Sequence, residues 1–415
     1  MAYDTLAKLF YKDSSSDRYA RNQSLASLRR NAESSFKLGL NIGDDELFLA
    51  VPREMSQQLE KVLRNERRVS LSFSSLPGVA CGSLVRSLVL DEVVCTNEIE
   101  GIYSTRKQVN DLLEADEVTG LELSDRRFRE LAHLYLGLTD KESSRRPESP
   151  GDIRAVYDMV MEGEDLGKNA PDGFLFRKGP VEIIGQGSKS IHEGILPESA
   201  IVEAIGRMLS VVDSPDMPEV YSAIAAHFMF EFIHPFYDGN GRTGRYLLAL
   251  YLSRSLSLLT SLSLSRTIAQ NKSAYYKAFK DAELPLNHGE VTPFVMCMLD
   301  LIYGAQNSIL DDIEEKRSQL DLVDKRLGDI AVDQDLSSVE VNVLYILVQS
   351  ELFADDLAMP LERLAGYLEK SPRAARSWVK KLENRGLIDL PSKRPPRFVL
   401  SPLAWKLLGF EGQIR

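Results

Sequence analysis

Residues 234–245 read HPFYDGNGRTGR, and within these twelve positions stand an imidazole, a carboxylate, a Gly-Asn-Gly run and two arginines. The ring of His234 titrates ordinarily near about 6.5, so in its neutral form it can take a proton from an attacking hydroxyl. Pro235 disfavours helical backbone at the preceding residue and so predicts an extended His234 fixed at the loop entrance. Asp238 is a hard oxygen ligand suited to a Mg²⁺ that substrate phosphates also hold. Gly239, Asn240 and Gly241 let consecutive N–H groups converge at the start of a following helix, which is an anion nest. Arg242 and Arg245 lie three apart, share a helix face and can both reach a polyphosphate. Taken singly, each residue has an ordinary reading: His234 a helix-end cap, Asp238 a turn former, the glycines a tight connection, the arginines solvated. Together they specify phosphoryl or nucleotidyl transfer.

Two apolar helical segments, 219–233 and 242–255, must carry this loop. Amphipathic helical runs are predicted at 55–64, 83–98, 107–113, 126–138, 153–161 and 200–212, and again at 273–282 and 293–309. The last continues into a charged stretch reaching about residue 326, a linker helix or a solvated face, of which the solvated face is preferred. One stretch, residues 179–197, breaks the helical pattern: glycines and prolines surround short β-leaning pieces at 181–184 and 190–195, a hairpin or flap. Near the C-terminus, helices at 339–349, 361–368 and 372–385 precede strands at 387–390 and 397–400 around a basic turn, 391–396. That order suggests a winged helix-turn-helix. The fold class expected is therefore mainly α, with a flap and an appended C-terminal module.

HPFYDGNGRTGR resembles the Fic signature HPFx(D/E)GNGRxxR at every defined position, and weaker similarity covers roughly residues 70–310. The resemblance implies a Fic helical core at 70–327, after an N-terminal helical region at 1–69 and before a winged helix at 336–415. It implies that His234 deprotonates a target Tyr, Thr or Ser hydroxyl, which attacks the α-phosphate of ATP. It assigns Asp238 to Mg²⁺, and the amides of Gly239 to Gly241 with the side chain of Asn240 to the phosphates. Arg242 falls to the β-phosphate and Arg245 to the γ-phosphate, while Phe236 anchors the loop. Gly241 stands where the Doc kinase branch has Lys, which favours AMP transfer over phosphorylation. TNEIEG at residues 96–101 resembles the (S/T)xxxE(G/N) inhibitory motif, within a helix near 83–101. Thr96 and Glu100 share a helix face, and Glu100 would compete with the γ-phosphate for Arg245. By itself TNEIEG reads better as a solvated helix end, and the catalytic motif downstream reverses that preference. Relatives that use this glutamate to remove AMP leave a bifunctional AMPylase/deAMPylase open. Family precedent makes flap residues 181–194 the strand on which a target protein docks; self-modification and a homodimer are also open.

Among the other histidines, His192 reads as a solvated loop residue, His227 as a core or interhelical one, and His133 and His288 carry no constellation. The chain has 415 residues, 44% hydrophobic and 27% charged, enough for two or three domains. Its net charge of −11 is uneven, with 12 basic and 9 acidic side chains from residue 336 onward and 38 and 52 in the rest. In residues 361–397, Arg373, Arg376, Lys380, Lys381, Lys393, Arg394 and Arg397 could meet DNA phosphates. The alternative, slightly preferred, is a protein-docking or dimerising winged helix whose Trp378, Leu382 and Leu387 fill a small core. Cys81, Cys95 and Cys297 form no CxxC pair, so no disulfide framework or zinc site is expected, only buried thiols. The N-terminus has charges where a signal peptide needs an apolar core, and Arg254 and serines interrupt the Leu-rich run 247–264. The expected location is the cytoplasm, with no membrane partner. Two readings compete with the autoinhibited, Mg²⁺-dependent adenylyltransferase: a DNA-binding regulator with a nucleotide-sensing or self-modifying Fic core, and a phosphate-binding module without turnover.

Overall fold

A computed structural model describes residues 3–114, 123–140, 145–184, 190–354, 358–393 and 395–410. These residues are mainly helical with small antiparallel sheets, as expected. They form two compact units, one of Met1–Val69 and Val89–Asn307, the other of Ser70–Leu88 and Ser308–Arg415. The cuts, after residues 69, 88 and 307, fall inside the long helices Arg53–Ser74, Gly78–Ile99 and Thr292–Asp333.

The first unit begins with α1 (Leu6–Lys12) and α2 (Arg18–Arg30), then a hairpin of β1 (Ser35–Ile42) and β2 (Asp45–Ala50). This hairpin corrects the expectation of a wholly helical N-terminal region. Its signal was the β-leaning FKLGLNI, followed by Gly43 in the left-handed conformation that a tight turn needs. Helices α3 (Arg53–Ser74), α4 (Gly78–Ile99), α5 (Arg106–Leu113) and α6 (Leu123–Gly137) follow. Next comes α7 (Pro150–Val160), which starts at Ser149 because Ser149 and Asp152 form a reciprocal capping box with Pro150 in the first turn. The flap is present as β3 (Glu182–Ile184) paired antiparallel with β4 (Ser190–Glu193), while residues 185–189 of the expected flap lie outside the described residues.

Helices α8 (Glu198–Val212), α9 (Glu219–Ile233) and α10 (Asn240–Ser255) pack in succession. From Val220 to Ile233 every α9 residue except Glu231 is buried. A helix apolar all round can lie only inside a core, so the loop between α9 and α10 starts from a fixed point. Helices α11 (Leu258–Leu262), α12 (Leu264–Gln270) and α13 (Lys272–Ala282) lead to α14 (Thr292–Asp333). The charged stretch continues α14 and exposes Glu314, Glu315, Arg317, Asp321, Asp324 and Lys325, the solvated face expected, while Ile313, Leu320, Val323, Leu327 and Ile330 form a buried stripe at helical spacing that the sequence reading did not include.

In the second unit, α15 (Ser338–Phe353), β5 (Met359–Pro360), α16 (Leu361–Tyr367) and α17 (Pro372–Asn384) precede β6 (Ile388–Lys393), β7 (Pro396–Leu400) and α18 (Pro402–Leu407). The sheet order is β5-β7-β6, all antiparallel, with Met359 opposite Phe398 and Ile388 opposite Leu400. Helix α17 buries Ala375, Val379 and Leu382 on one face and exposes Arg373, Arg376, Lys380 and Lys381. Leu387 is buried beside them, and Trp378 is half-buried. Of the basic turn, Arg394 lies outside the described residues.

Candidate active site

Helix α9 stops at His234, whose backbone is left-handed at φ 51° and ψ 61°. This corrects the extended conformation expected before Pro235. A non-glycine residue there costs on the order of 1–3 kcal/mol, so its surroundings must hold it. The holder is Arg177, fully buried and not anticipated from the sequence. Its Nε donates to the His234 carbonyl at 2.8 Å, Nη1 to Gly179 O at 2.7 Å and Nη2 to Ile195 O at 3.0 Å. Its backbone N–H donates to Pro235 O at 3.1 Å. Arg177 therefore joins both ends of the flap to the catalytic loop, and Gly194 is needed because a Cβ there would stand 2.2 Å from Nη2. Nδ1 of His234 lies 3.3 Å from the Glu231 carbonyl. A carbonyl only accepts, so Nδ1 is the donor in this contact.

The rest of the loop is closed from inside. Phe236 is buried and stacks on Tyr157 with ring centroids 3.6 Å apart, the anchor expected of it. The Asn240 side chain was expected at the phosphates. Instead it accepts from Phe236 N at 3.0 Å and donates to Phe236 O at 2.8 Å, so only its backbone N–H faces the helix start. Gly239 caps α10 at φ 78°, against Met161. The first-turn N–H groups of α10 have no intrahelical acceptor and gather where an anion would sit.

Arg245, 3% exposed at the side chain, meets both residues of the expected brake. Its Nε donates to Thr96 Oγ1 at 2.8 Å, and Nη2 donates to Thr96 O at 3.0 Å and Glu100 Oε1 at 2.7 Å. Burial works against its charge, but Glu100, Tyr275 and Glu231 outweigh that and raise its pKa. Gly241 makes the carboxylate's approach possible, since a Cβ there would lie 2.2 Å from Glu100 Oε1. Around Arg245, burial lifts Glu231 to about 8 and Glu92 to about 7, with Arg245 opposing both shifts. Buried His227 is pushed down to about 3, by burial first and then by Arg245. It donates from Nδ1 to Gly244 O at 3.1 Å and sits 2.7 Å from the Tyr275 hydroxyl, the interhelical role expected. His288, by contrast, is part of a polar cluster, with Asp45 Oδ2 at 2.9 Å and Asn22 Oδ1 at 2.8 Å.

Arg242 also faces a carboxylate, donating from Nη1 to Glu164. Glu164 was not anticipated, because it sits about 80 residues earlier with no motif around it. Asp238 accepts the Gly239 N–H at 2.6 Å. Among the described residues no group of three or more His, Cys, Asp or Glu side chains could hold a metal. A lone carboxylate beside a phosphate nest fits Mg²⁺ that draws most of its ligands from phosphates and water. The three cysteines are free and half-buried, and among the described residues no helix is long and apolar enough to cross a membrane.

Residues 147–252 match the family model described as Fic/DOC family. The chain is 28% identical over 197 residues to a probable protein adenylyltransferase of Aquifex aeolicus, covering 47% of this chain and 55% of that one. It is 31% identical over 249 residues to a protein adenylyltransferase Fic of Drosophila ananassae, covering 57% and 44%. The chain thus spans about half the length of the curated relatives it matches. A crystal structure of a Fic family protein from Desulfovibrio desulfuricans G20 has a similar fold, with a TM-score of 0.53 at 19% identity, over 85% of this chain and 97% of that one. The signature loop between α9 and α10 thus lies within a segment, residues 147–252, that matches the Fic/DOC family model.

Proposed function

We propose that this chain is a protein adenylyltransferase, held in a low-activity state by Glu100, that moves AMP from ATP to a Tyr, Thr or Ser hydroxyl of a target protein. The observation that supports the reading is that Arg245, on the helix that follows the His234 loop, is held by Thr96 and Glu100 of the inhibitory-type motif. The relatives named protein adenylyltransferase support the same chemistry. His234 Nε2 takes the hydroxyl proton as the oxygen forms a bond to the α-phosphorus. The bond from that phosphorus to the bridging oxygen breaks, and pyrophosphate leaves with the electron pair. Asp238 would hold Mg²⁺, which supplies positive charge to the phosphates. Arg242 and Arg245 take the β- and γ-phosphates, and the target backbone docks along β3 and β4. Glu100 on Arg245 displaces the γ-phosphate and misaligns the α-phosphate for in-line attack.

Incubation with α-labelled and, separately, γ-labelled ATP tests the reaction. Protein-bound α-label without γ-label is expected; γ-label on protein would mark a kinase, and neither label in any variant would contradict transfer.

For residues 338–400 we propose a winged helix whose exposed Arg373, Arg376 and Lys380, on one face of α17, contact DNA phosphates. The full-length chain should bind duplex DNA with an affinity that falls with salt and is lost in Arg373→Glu/Arg376→Glu. Equal binding by that variant would leave protein docking as the role of this module.

A further inference from the structure

Both phosphate-facing arginines are engaged by carboxylates, yet the two pairs are built differently. Glu100 lies just past the last residue of α4, is 34% exposed and pairs with Arg245. Glu164 is 12% exposed and stands between two arginines, taking Arg242 on Oε1 and Arg127 of α6 on Oε2 at 3.1 Å. Burial pushes the Glu164 carboxyl up, but the two arginines outweigh it and hold it below the usual range.

The turn that carries Glu164 is fastened on both sides. Its N–H donates to Met161 O at 3.0 Å, and Met161 lies against Gly239 of the nest. Gly163, at φ +83°, brings the turn so close to α6 that a Cβ there would stand 2.7 Å from Arg127 N. The neighbouring Glu162 takes Arg126 Nη2 at 2.8 Å. Withdrawal of Glu164 would strip two cations of their counter-charge and pull this turn off α6. Withdrawal of Glu100 asks for neither. Arg242 is itself only 4% exposed at the side chain, and its Nε–H is buried without an acceptor. A guanidinium gripped at one nitrogen keeps the other donors of its rigid fork. Such a buried, unanswered donor is what an incoming phosphate oxygen would satisfy.

We propose that Glu164, anchored by Arg127, is a positioning residue that orients Arg242 for the phosphates of the nucleotide, in contrast to Glu100, which blocks Arg245. The proposal deepens the adenylyltransferase reading and rests on it.

The test places Glu164→Ala, Glu164→Gln and Arg127→Ala in the full-length Glu100→Gly chain and measures kcat and KM for ATP, with a calorimetric Kd for ATP alongside. Glu164→Ala should lower kcat/KM by about 10–100-fold and weaken ATP binding, because a freed Arg242 is misplaced by about an ångström. Glu164→Gln still accepts from Arg242 and should recover part of the loss. Arg127→Ala, which acts on Arg242 through Glu164, should show a smaller loss of the same kind. Higher activity in Glu164→Ala would make Glu164 a second brake and overturn the proposal, as would kinetics and Kd unchanged in all three variants. Should Glu164→Ala fail to fold, Glu164→Gln and Arg127→Ala decide by the same criteria. Should the parent transfer no AMP, the adenylyltransferase reading fails, and the ATP Kd series still judges Glu164.

Discussion

At the scale of residues, the guanidinium of Arg245 has Thr96 and Glu100 as acceptors, so in the proposed reaction a γ-phosphate would have to displace a charge-assisted bond to reach it. Beneath it, Glu92 is a buried carboxyl whose pKa stands at about 7, raised by burial. Its ordinary value is near 4.5, so its contribution to stability is complete below about 4.5 and is lost as pH rises through about 7. Wild type should therefore lose on the order of 1–3 kcal/mol across that window, and Glu92→Gln should lose less. Urea melts at pH 5 and pH 8 check this; parallel declines in both proteins would contradict it. Much at this scale was legible in the sequence, because His234, Asp238, Arg242 and Arg245 fall within one contiguous motif and Thr96 and Glu100 within another. Glu164 and Arg177 were not legible, since each acts through partners far away in the chain. The side chain of Asn240 was assigned outward although the buried loop backbone of Phe236 needed it.

At the scale of elements, α9 and α10 present the loop and Arg177 closes it. The lengths of both helices could be read from their apolar runs. The left-handed turn at His234 could not, because the proline rule pointed the other way and only the bond from Arg177 reverses it. Arg177→Met should leave the carbonyls of His234, Gly179 and Ile195 without a donor and cost about 2–4 kcal/mol. It should also lower kcat more than it raises KM for ATP, since His234 loses its orientation while the nest persists. Thermal melts and steady-state kinetics in the Glu100→Gly chain measure both, and unchanged kcat with lowered stability would reduce Arg177 to scaffolding. The β1–β2 hairpin was missed for a similar reason: its strand pattern lies between strongly helical segments.

At the scale of the whole molecule, the segment that matches the Fic/DOC family model lies in the first unit, and among the described residues the second unit carries the four helices α15 to α18 and a three-stranded sheet, with a basic face on α17. The charge asymmetry was plain from the sequence, whereas the apolar stripe of α14 was hidden by the charged residues around it. In the proposed reaction the first unit supplies both a base, His234, and a removable carboxylate, Glu100. The most direct measurement is the rate at which α-labelled AMP becomes protein-bound in wild type, Glu100→Gly and Glu100→Gly/His234→Ala with Mg²⁺ and a cell lysate as acceptor. A rate about 10–100-fold higher in Glu100→Gly than in wild type, abolished in the double variant, is the expected result. Equal rates in wild type and Glu100→Gly, or label transfer that survives His234→Ala, would contradict the account.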